Sequence, residues 1–175
     1  EMKLVASTAA ALFLTAGAAH ADFFSVTSEG TMEIVGSVPP IFETFNAETV
    51  TSVVGPYDFV EWAGTAFLDA SESPAAATGE LTWTDSSGDT LVMSIEGLVF
   101  GDPESYSTAA GTWTMLSGTG VYADLVGNGA WNRTFLSTAP GLYETTSNFG
   151  GTLVPAPGVL ALLGVGAMAT RRRRR

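Results

Sequence analysis

The chain has 175 residues, with 18 acids, seven Lys or Arg, one His and no Cys, a length for one ordinary domain with small appendages. Zero Cys excludes a disulfide framework, a thiol nucleophile and any Cys-ligated zinc or iron–sulfur site. The cations sit at the ends, as Lys3 and Arg171–Arg175, with only Arg133 between them, so Asp22–Thr152 carries 17 acids against one base, a formal charge of −16, and neither His nor Lys. That stretch therefore lacks the residues for nucleophile–base pairs, Schiff-base chemistry or His-ligated metals. Its charge repels nucleic acid and anionic membrane surfaces.

Residues 1–21 have the layout of a secretory signal peptide. Lys3 supplies a positive start, Leu4 to Ala18 is apolar and Ala-rich, and Ala19-His20-Ala21 sets small residues where signal peptidase needs them. The expected cut precedes Asp22. A buried helix is the alternative reading. Glu1 stands ahead of Met2, which suggests that translation starts at Met2 or that the chain is a fragment.

From Asp22 to Thr152 composition favours strands: Thr, Val, Tyr, Phe and Trp are plentiful, Gly punctuates, and no long stretch has apolar residues at helical spacing. Thr31–Val35, Glu48–Val54 and Phe59–Phe67 read as strands, with Pro39-Pro40, Pro56 and Ser71–Ala77 as linkers. Leu81 and Trp83 alternate with Glu80, Thr82 and Thr84. The polar turn Asp85–Asp89 follows, and then Leu91, Met93 and Ile95 alternate with Val92, Ser94 and Glu96, which is a hairpin pattern. Trp113 and Met115 alternate with Thr112 and Thr114, and Tyr143–Phe149 closes a set of about eight strand candidates. The expected fold is all-β, a single antiparallel barrel of about eight strands or a sandwich, flanked by an N-terminal signal helix and a C-terminal hydrophobic helix.

Several residues are candidates for chemistry. Asp85 with Asp89, or Asp102 with Glu104, offers oxygen ligands that suit Ca²⁺, although the 85–89 segment lacks full calcium-loop spacing and reads equally as a hairpin turn. Trp62, Trp83, Trp113 and Trp131 form either a sugar-stacking platform or, as alternating aromatics usually do, core. Seventeen carboxylates this evenly spread read as a solvated face rather than as a glycosidase dyad. Arg133 either anchors an anionic ligand or pairs with a carboxylate. Asn132-Arg133-Thr134 is a formal glycosylation sequon. No catalytic or cofactor-binding residue is assigned.

Glycines 118, 120, 127 and 129 bracket Tyr122 and Leu125 in Ser117–Trp131. The spacing fails as a dinucleotide fingerprint, because Ala123 stands where the third glycine belongs. A turn needing positive φ explains it better. This run resembles the Gly-Gly-Thr-Gly-x-Tyr/Phe-x-x-x-x-Gly-x-Gly segment of the allene oxide cyclase and dirigent-like β-barrels, with Ser117 in place of the first glycine. The hairpin from Gly79 to Val92 resembles the same barrels' polar-turn strand pair. The resemblance covers about Gly79–Trp131 and implies an eight-stranded antiparallel barrel. It transfers no catalytic residue.

Leu153–Ala169 is apolar and uncharged, and Arg171–Arg175 follow after Thr170. A helix starting at Pro157 has 14 residues to Thr170, roughly 21 Å at ~1.5 Å per residue. This is short for a ~30 Å hydrocarbon core unless the bilayer thins or the arginines snorkel. The five arginines hold that end in the cytoplasm. A nucleic-acid arm and a permanent tail anchor are the other readings of this end. The order Val154-Pro155-Ala156-Pro157, short apolar helix and terminal Arg cluster resembles the PEP-CTERM sorting signal of exported proteins in Gram-negative bacteria that make extracellular polysaccharide. Ala156 stands where the family has glutamate. The resemblance implies that an exosortase, a membrane transpeptidase-like protease, cuts near Val154–Pro157.

The expected organisation is thus a signal peptide over 1–21, a barrel-like domain over 22–152 and a sorting segment over 153–175. The leading functional expectation is a non-enzymatic exported protein, held briefly at the inner membrane and released to the cell envelope or extracellular polysaccharide. Its partners would be signal peptidase, the exosortase-type protease and polysaccharide, with no nucleic acid and no cofactor beyond a candidate Ca²⁺. A small-molecule or glycan-binding barrel is the second reading, and an isomerase-like barrel enzyme the third.

Overall fold

A computed structural model describes residues 21–156 except 103 and 104. Eight strands follow one another: β1 (Asp22–Val38), β2 (Ile41–Val54), β3 (Phe59–Asp69), β4 (Ala75–Asp85), β5 (Thr90–Asp102), β6 (Tyr106–Gly118), β7 (Leu125–Ala139) and β8 (Leu142–Pro155), with one 3₁₀ turn at Gly120–Tyr122. Each strand pairs antiparallel with the next, and β8 returns to β1, with Asp22 opposite Leu153 and Glu33 opposite Leu142. The barrel is closed. Closure pairs the two strands that a sandwich would leave as edges, which suits a chain this rich in β-formers. The two terminal helices expected from the sequence lie outside the described residues. Among the described residues no helix is long and apolar enough to cross a membrane.

The alternation read along the chain sets the wall. Leu81, Trp83, Leu91, Met93, Ile95, Trp113 and Met115 all point inward and are buried. Thr82, Thr112 and Glu29, Glu80, Glu96 and Glu144 are exposed on the outside. The Asp85–Asp89 turn closes the β4–β5 hairpin, where Gly88 takes a φ of 88° that a β-carbon would strain.

The strands run longer than the sequence reading gave them, β1 over Asp22–Val38 against Thr31–Val35 and β2 over Ile41–Val54 against Glu48–Val54, and three further points differ. The 71–77 linker ends early, because β4 begins at Ala75 and Ala77 is buried. Ala75 and Ala77 line the open end of the lumen, where small inward side chains leave space, even though alanine is a poor strand former. The barrel also runs past 152: Leu153 is buried, and Pro155 lies opposite Leu125 at the start of β7. The first residues of β1 and β7 need partners, and residues 153–155 supply them. Finally, of the four glycines in the 118–129 run, only Gly120 has positive φ. Gly129 serves close approach instead, since a Cβ there would sit 2.6 Å from Trp113 Nε1.

The two ends of the barrel are unlike. At the end formed by the β2–β3, β4–β5 and β6–β7 connections, aromatic rings close the lumen. Phe59 and Tyr122 stack with centroids 5.4 Å apart, and Phe24, Tyr57 and Trp83 pack around them. The column continues through Trp113, Phe149, Trp62 and Trp131. The opposite end, at the β1–β2, β3–β4 and β7–β8 turns, is an open mouth.

Candidate functional site: a cup with a charged floor

Below the mouth the inward side chains of β2, β7, β8 and β1 turn polar. On β2, Thr44, Asn46 and Glu48 occupy successive inward positions, and all three are buried. Arg133 of β7 reaches across to them, placing Nη2 2.6 Å from Glu48 Oε1. Its Nη1 donates to Asn46 Oδ1 at 2.5 Å and its Nη2 also to Thr145 Oγ1 at 3.0 Å. Glu48 accepts further bonds from Thr145 Oγ1 (2.7 Å), Ser147 Oγ (2.9 Å) and Ser28 Oγ (2.6 Å). Ser28 in turn accepts from Trp62 Nε1 at 2.8 Å. Gly30, between Thr145 and Glu48 in the register, leaves the room this needs, because a Cβ there would lie 2.9 Å from Glu48 Cγ.

The side chains of the pair are 8% and 0% exposed, so both charges have left water. Such a pair survives only when attraction and hydrogen bonds together offset desolvation. Burial pushes the Arg133 guanidinium down, and the charge and hydrogen bond of Glu48 oppose that shift. The guanidinium also lies over the rings of Trp62 and Phe135, 5.1 Å from each centroid. Arg133 Nε is buried and finds no acceptor among the protein's own groups.

The mouth encloses about 900 Å³, with Met32, Ile34, Phe42, Leu68, Val99 and Phe135 as its apolar wall, and Ser107, Tyr143 and Glu72 among its polar lining. Beneath it lies a cavity of about 20 Å³ whose lining includes the polar Arg133, Asn46 and Thr44 and the aromatic Trp62, Trp131 and Phe149. Met32, Leu68, Val99 and Phe135 line both spaces. The lumen is therefore a cup, with a wide apolar mouth that narrows onto one polar cluster.

The sequence-derived candidates fall in different places. Arg133 pairs with a carboxylate, one of its two expected roles. The four tryptophans are core, 1–5% exposed, and present no outward platform for stacking sugars. Asp85 spends Oδ1 on the backbone N–H groups of Ser87 (2.8 Å) and Asp89 (2.9 Å), and Asp89 Oδ2 accepts from Val121 N–H at 3.1 Å. Both hold turns, and among the described residues no three His, Cys, Asp or Glu side chains gather as an ion site. Asp102 accepts a hydroxyl bond from Ser105 at 3.1 Å, whereas Glu104 is outside the described residues. Ala21 is exposed just before β1, Val154 and Pro155 end β8, and Ala156 N–H bonds Asp124 O at 2.8 Å. Ala19, Pro157 and Arg171, Arg172, Arg173, Arg174 and Arg175 lie outside the described residues.

At the closed end two phenols are perturbed. Tyr57 is pushed up to about 12, first by burial and then by the charge of Asp22. Tyr122 is pushed well up by burial, with Asp85 next in weight. Both are held neutral in an aromatic plug.

The sequence reading missed Asn46, Glu48, Ser28, Thr145 and Ser147. One signal was available: Phe42, Thr44, Asn46 and Glu48 share one parity of β2, and a body with a single cation must bring an acid to it if that cation is inside. Comparison of the chain with protein-family models, with curated proteins and with solved structures finds no match.

Proposed function

We propose that this chain is an exported β-barrel that binds a small, largely apolar molecule in its lumen. The observation that carries the binding part is the cup: about 900 Å³ of space at one end of a barrel whose other end is plugged by aromatic rings. Ligand sites run to roughly 300–1,000 Å³, with apolar walls and a few placed polar groups. An apolar molecule entering here exchanges water for Phe42, Leu68, Val99 and Phe135, a transfer that is favourable in proportion to the area covered. Binding is favoured over catalysis because both Glu48 oxygens are engaged in the barrel's own network, Oε1 by Arg133, Thr145 and Ser147 and Oε2 by Ser28, so the carboxylate serves as part of the floor. The setting follows from the flanks: the signal-like residues 1–21 support export, and the resemblance of 154–175 to a PEP-CTERM signal supports exosortase-type release into the envelope or polysaccharide matrix.

The binding part is tested with N-phenyl-1-naphthylamine, an uncharged dye that fluoresces in apolar surroundings. The protein recovered from a host expressing the full chain should bind it saturably, and Ser137→Trp, which fills the mouth from the inward side of β7, should abolish binding. Dye binding that ignores Ser137→Trp would place it elsewhere and end this reading. The export part is tested by terminal masses: the released protein should begin at Asp22 and end within Val154–Pro157, and a chain left uncut in the inner membrane would defeat it.

A further inference from the structure

We propose that the lumen selects an uncharged molecule whose leading group is a single hydrogen-bond-accepting oxygen, such as a ketone, ester or amide carbonyl, received by the Nε–H of Arg133. This inference rests on the lumenal-binding reading and adds the chemistry of the ligand's inner end. It starts from a count of valences in the polar cluster. The carboxylate of Glu48 takes four donors, three on Oε1 and one, from Ser28, on Oε2. Asn46 gives its Nδ2 protons to Thr44 Oγ1 (3.2 Å) and Gly64 O (3.4 Å) and its Oδ1 to Arg133. Arg133 Nη2 gives its two protons to Glu48 and Thr145, and Nη1 gives one of its two to Asn46. Nε is the one nitrogen of this cluster that is buried with no acceptor at all, while nearer the plugged end Trp83 Nε1 and the Tyr122 hydroxyl are also buried without a partner. A guanidinium nitrogen can only donate, so whatever completes the cluster must accept.

Size narrows the choice. The floor cavity is about 20 Å³, enough for one water-sized group, since roughly 10–15 Å³ suffices for a water. One oxygen fits there. A carboxylate or phosphate brings two or more oxygens.

Charge decides the rest. Arg133 is the only cationic side chain between Asp22 and Thr152, and Glu48 already neutralises it. An anionic head would lose its water, meet the Glu48 charge, and find no second cation. Glu72 at the mouth and the −16 charge of the barrel chain oppose its approach as well. A cationic head would face the guanidinium, and would have to compete with Arg133, Thr145, Ser147 and Ser28 for the Glu48 oxygens. A neutral acceptor escapes all of these costs and satisfies a donor that is otherwise expensive to leave unmade.

The test is displacement of N-phenyl-1-naphthylamine from the full-chain product at neutral pH by 2-undecanone, 1-undecene and undecanoate. Each half-displacement concentration is referred to the probe's own water–hexadecane partition. The ketone should bind about tenfold or more tightly than the alkene on this scale, as expected for one buried donor satisfied, and more tightly than the carboxylate on the raw scale. Equal corrected affinities of ketone and alkene would overturn the acceptor site. Undecanoate binding as tightly as the ketone would overturn the claim of neutrality. Either result leaves the lumenal reading standing, provided that Ser137→Trp still abolishes dye binding. If no probe displaces a dye whose binding Ser137→Trp abolishes, this inference falls and the lumenal reading stands; if Ser137→Trp leaves the dye bound, both fall. Arg133→Lys keeps a cation beside Glu48 but removes the Nε–H, so the ketone's advantage over the alkene should vanish, and an unchanged advantage would remove Arg133 from the assignment. Should that variant not fold, the three probes on the unaltered chain decide.

Discussion

Replacing Glu48 with Gln probes the floor of the cup most severely. In the native barrel Glu48 is the sole counter-charge of a guanidinium whose side chain is 8% exposed, and it gathers three hydroxyl bonds and the ion pair. Glu48→Gln keeps the volume and one acceptor oxygen but leaves Arg133 charged, buried and unpaired. Breaking one side of a buried pair costs about 3–5 kcal/mol, and the retained oxygen sets the expectation near the lower end, ~3 kcal/mol. Against a total stability of about 5–15 kcal/mol this is a large fraction, and it should lower Tm by roughly 10 °C in a domain of this size. Glu48→Gln with Arg133→Met removes both charges, so the double variant should lose much less than the sum of the singles, with a coupling of at least about 2 kcal/mol. Urea unfolding followed by fluorescence of the four lumenal tryptophans measures all three variants on one m value. A loss below about 1 kcal/mol for Glu48→Gln, or additive single variants, would refute the claim that this pair sits in a low-dielectric lumen.

Other consequences are independent of that pair's energy. Gly30→Ala places a Cβ 2.7 Å from Glu48 Cα and 2.9 Å from its Cγ, so we expect a loss of about 2 kcal/mol or more by overpacking, read by the same urea titration, and a weaker preference for 2-undecanone. Alkali should destabilise the barrel in a defined window. The Tyr57 phenol rises from 10.0 to about 12 on folding, so the unfolded chain releases its proton first. The stability contribution is intact below pH 10 and is lost as pH climbs through about 12. Ultraviolet titration of the four tyrosines should show the Tyr57 and Tyr122 phenols silent until unfolding begins, and four phenols ionising together near the ordinary value would contradict the aromatic plug. Asp85→Ala should cost about 1 kcal/mol, because it removes the two turn bonds from the Ser87 and Asp89 N–H groups while leaving those donors within reach of water, and thermal unfolding reads that loss.

Much of the wall was legible because a half-buried strand writes its burial as alternation. Leu81, Trp83, Leu91, Met93 and Ile95 are inward in the structure as their spacing requires. Closure was less legible, since a sandwich and a barrel share the same alternation and differ only in whether β8 meets β1. The Ala75–Ala77 strand was read as linker because three alanines signal no strand preference, although their small size is what the mouth end accommodates. The floor of the cup was hidden for a different reason. Charged residues are ordinarily outside, so Glu48 and Arg133, 85 positions apart in sequence, carried no local sign of each other. Their meeting depends on the order in which β7, β8, β1 and β2 lie around the barrel, which is a property of closure rather than of any segment.

Where an apolar molecule sits on this barrel decides whether the lumen is a binding site. Two-dimensional nuclear magnetic resonance of the labelled protein with 2-undecanone answers this in one titration. Saturable shifts should gather at Met32, Leu68, Val99, Phe135 and the Arg133 Nε–H, with Phe24, Phe59 and Tyr122 at the plugged end unchanged. Shifts confined to exposed outer positions such as Phe45, Phe67 or Leu116, with the Arg133 Nε–H unmoved, would contradict a lumenal site.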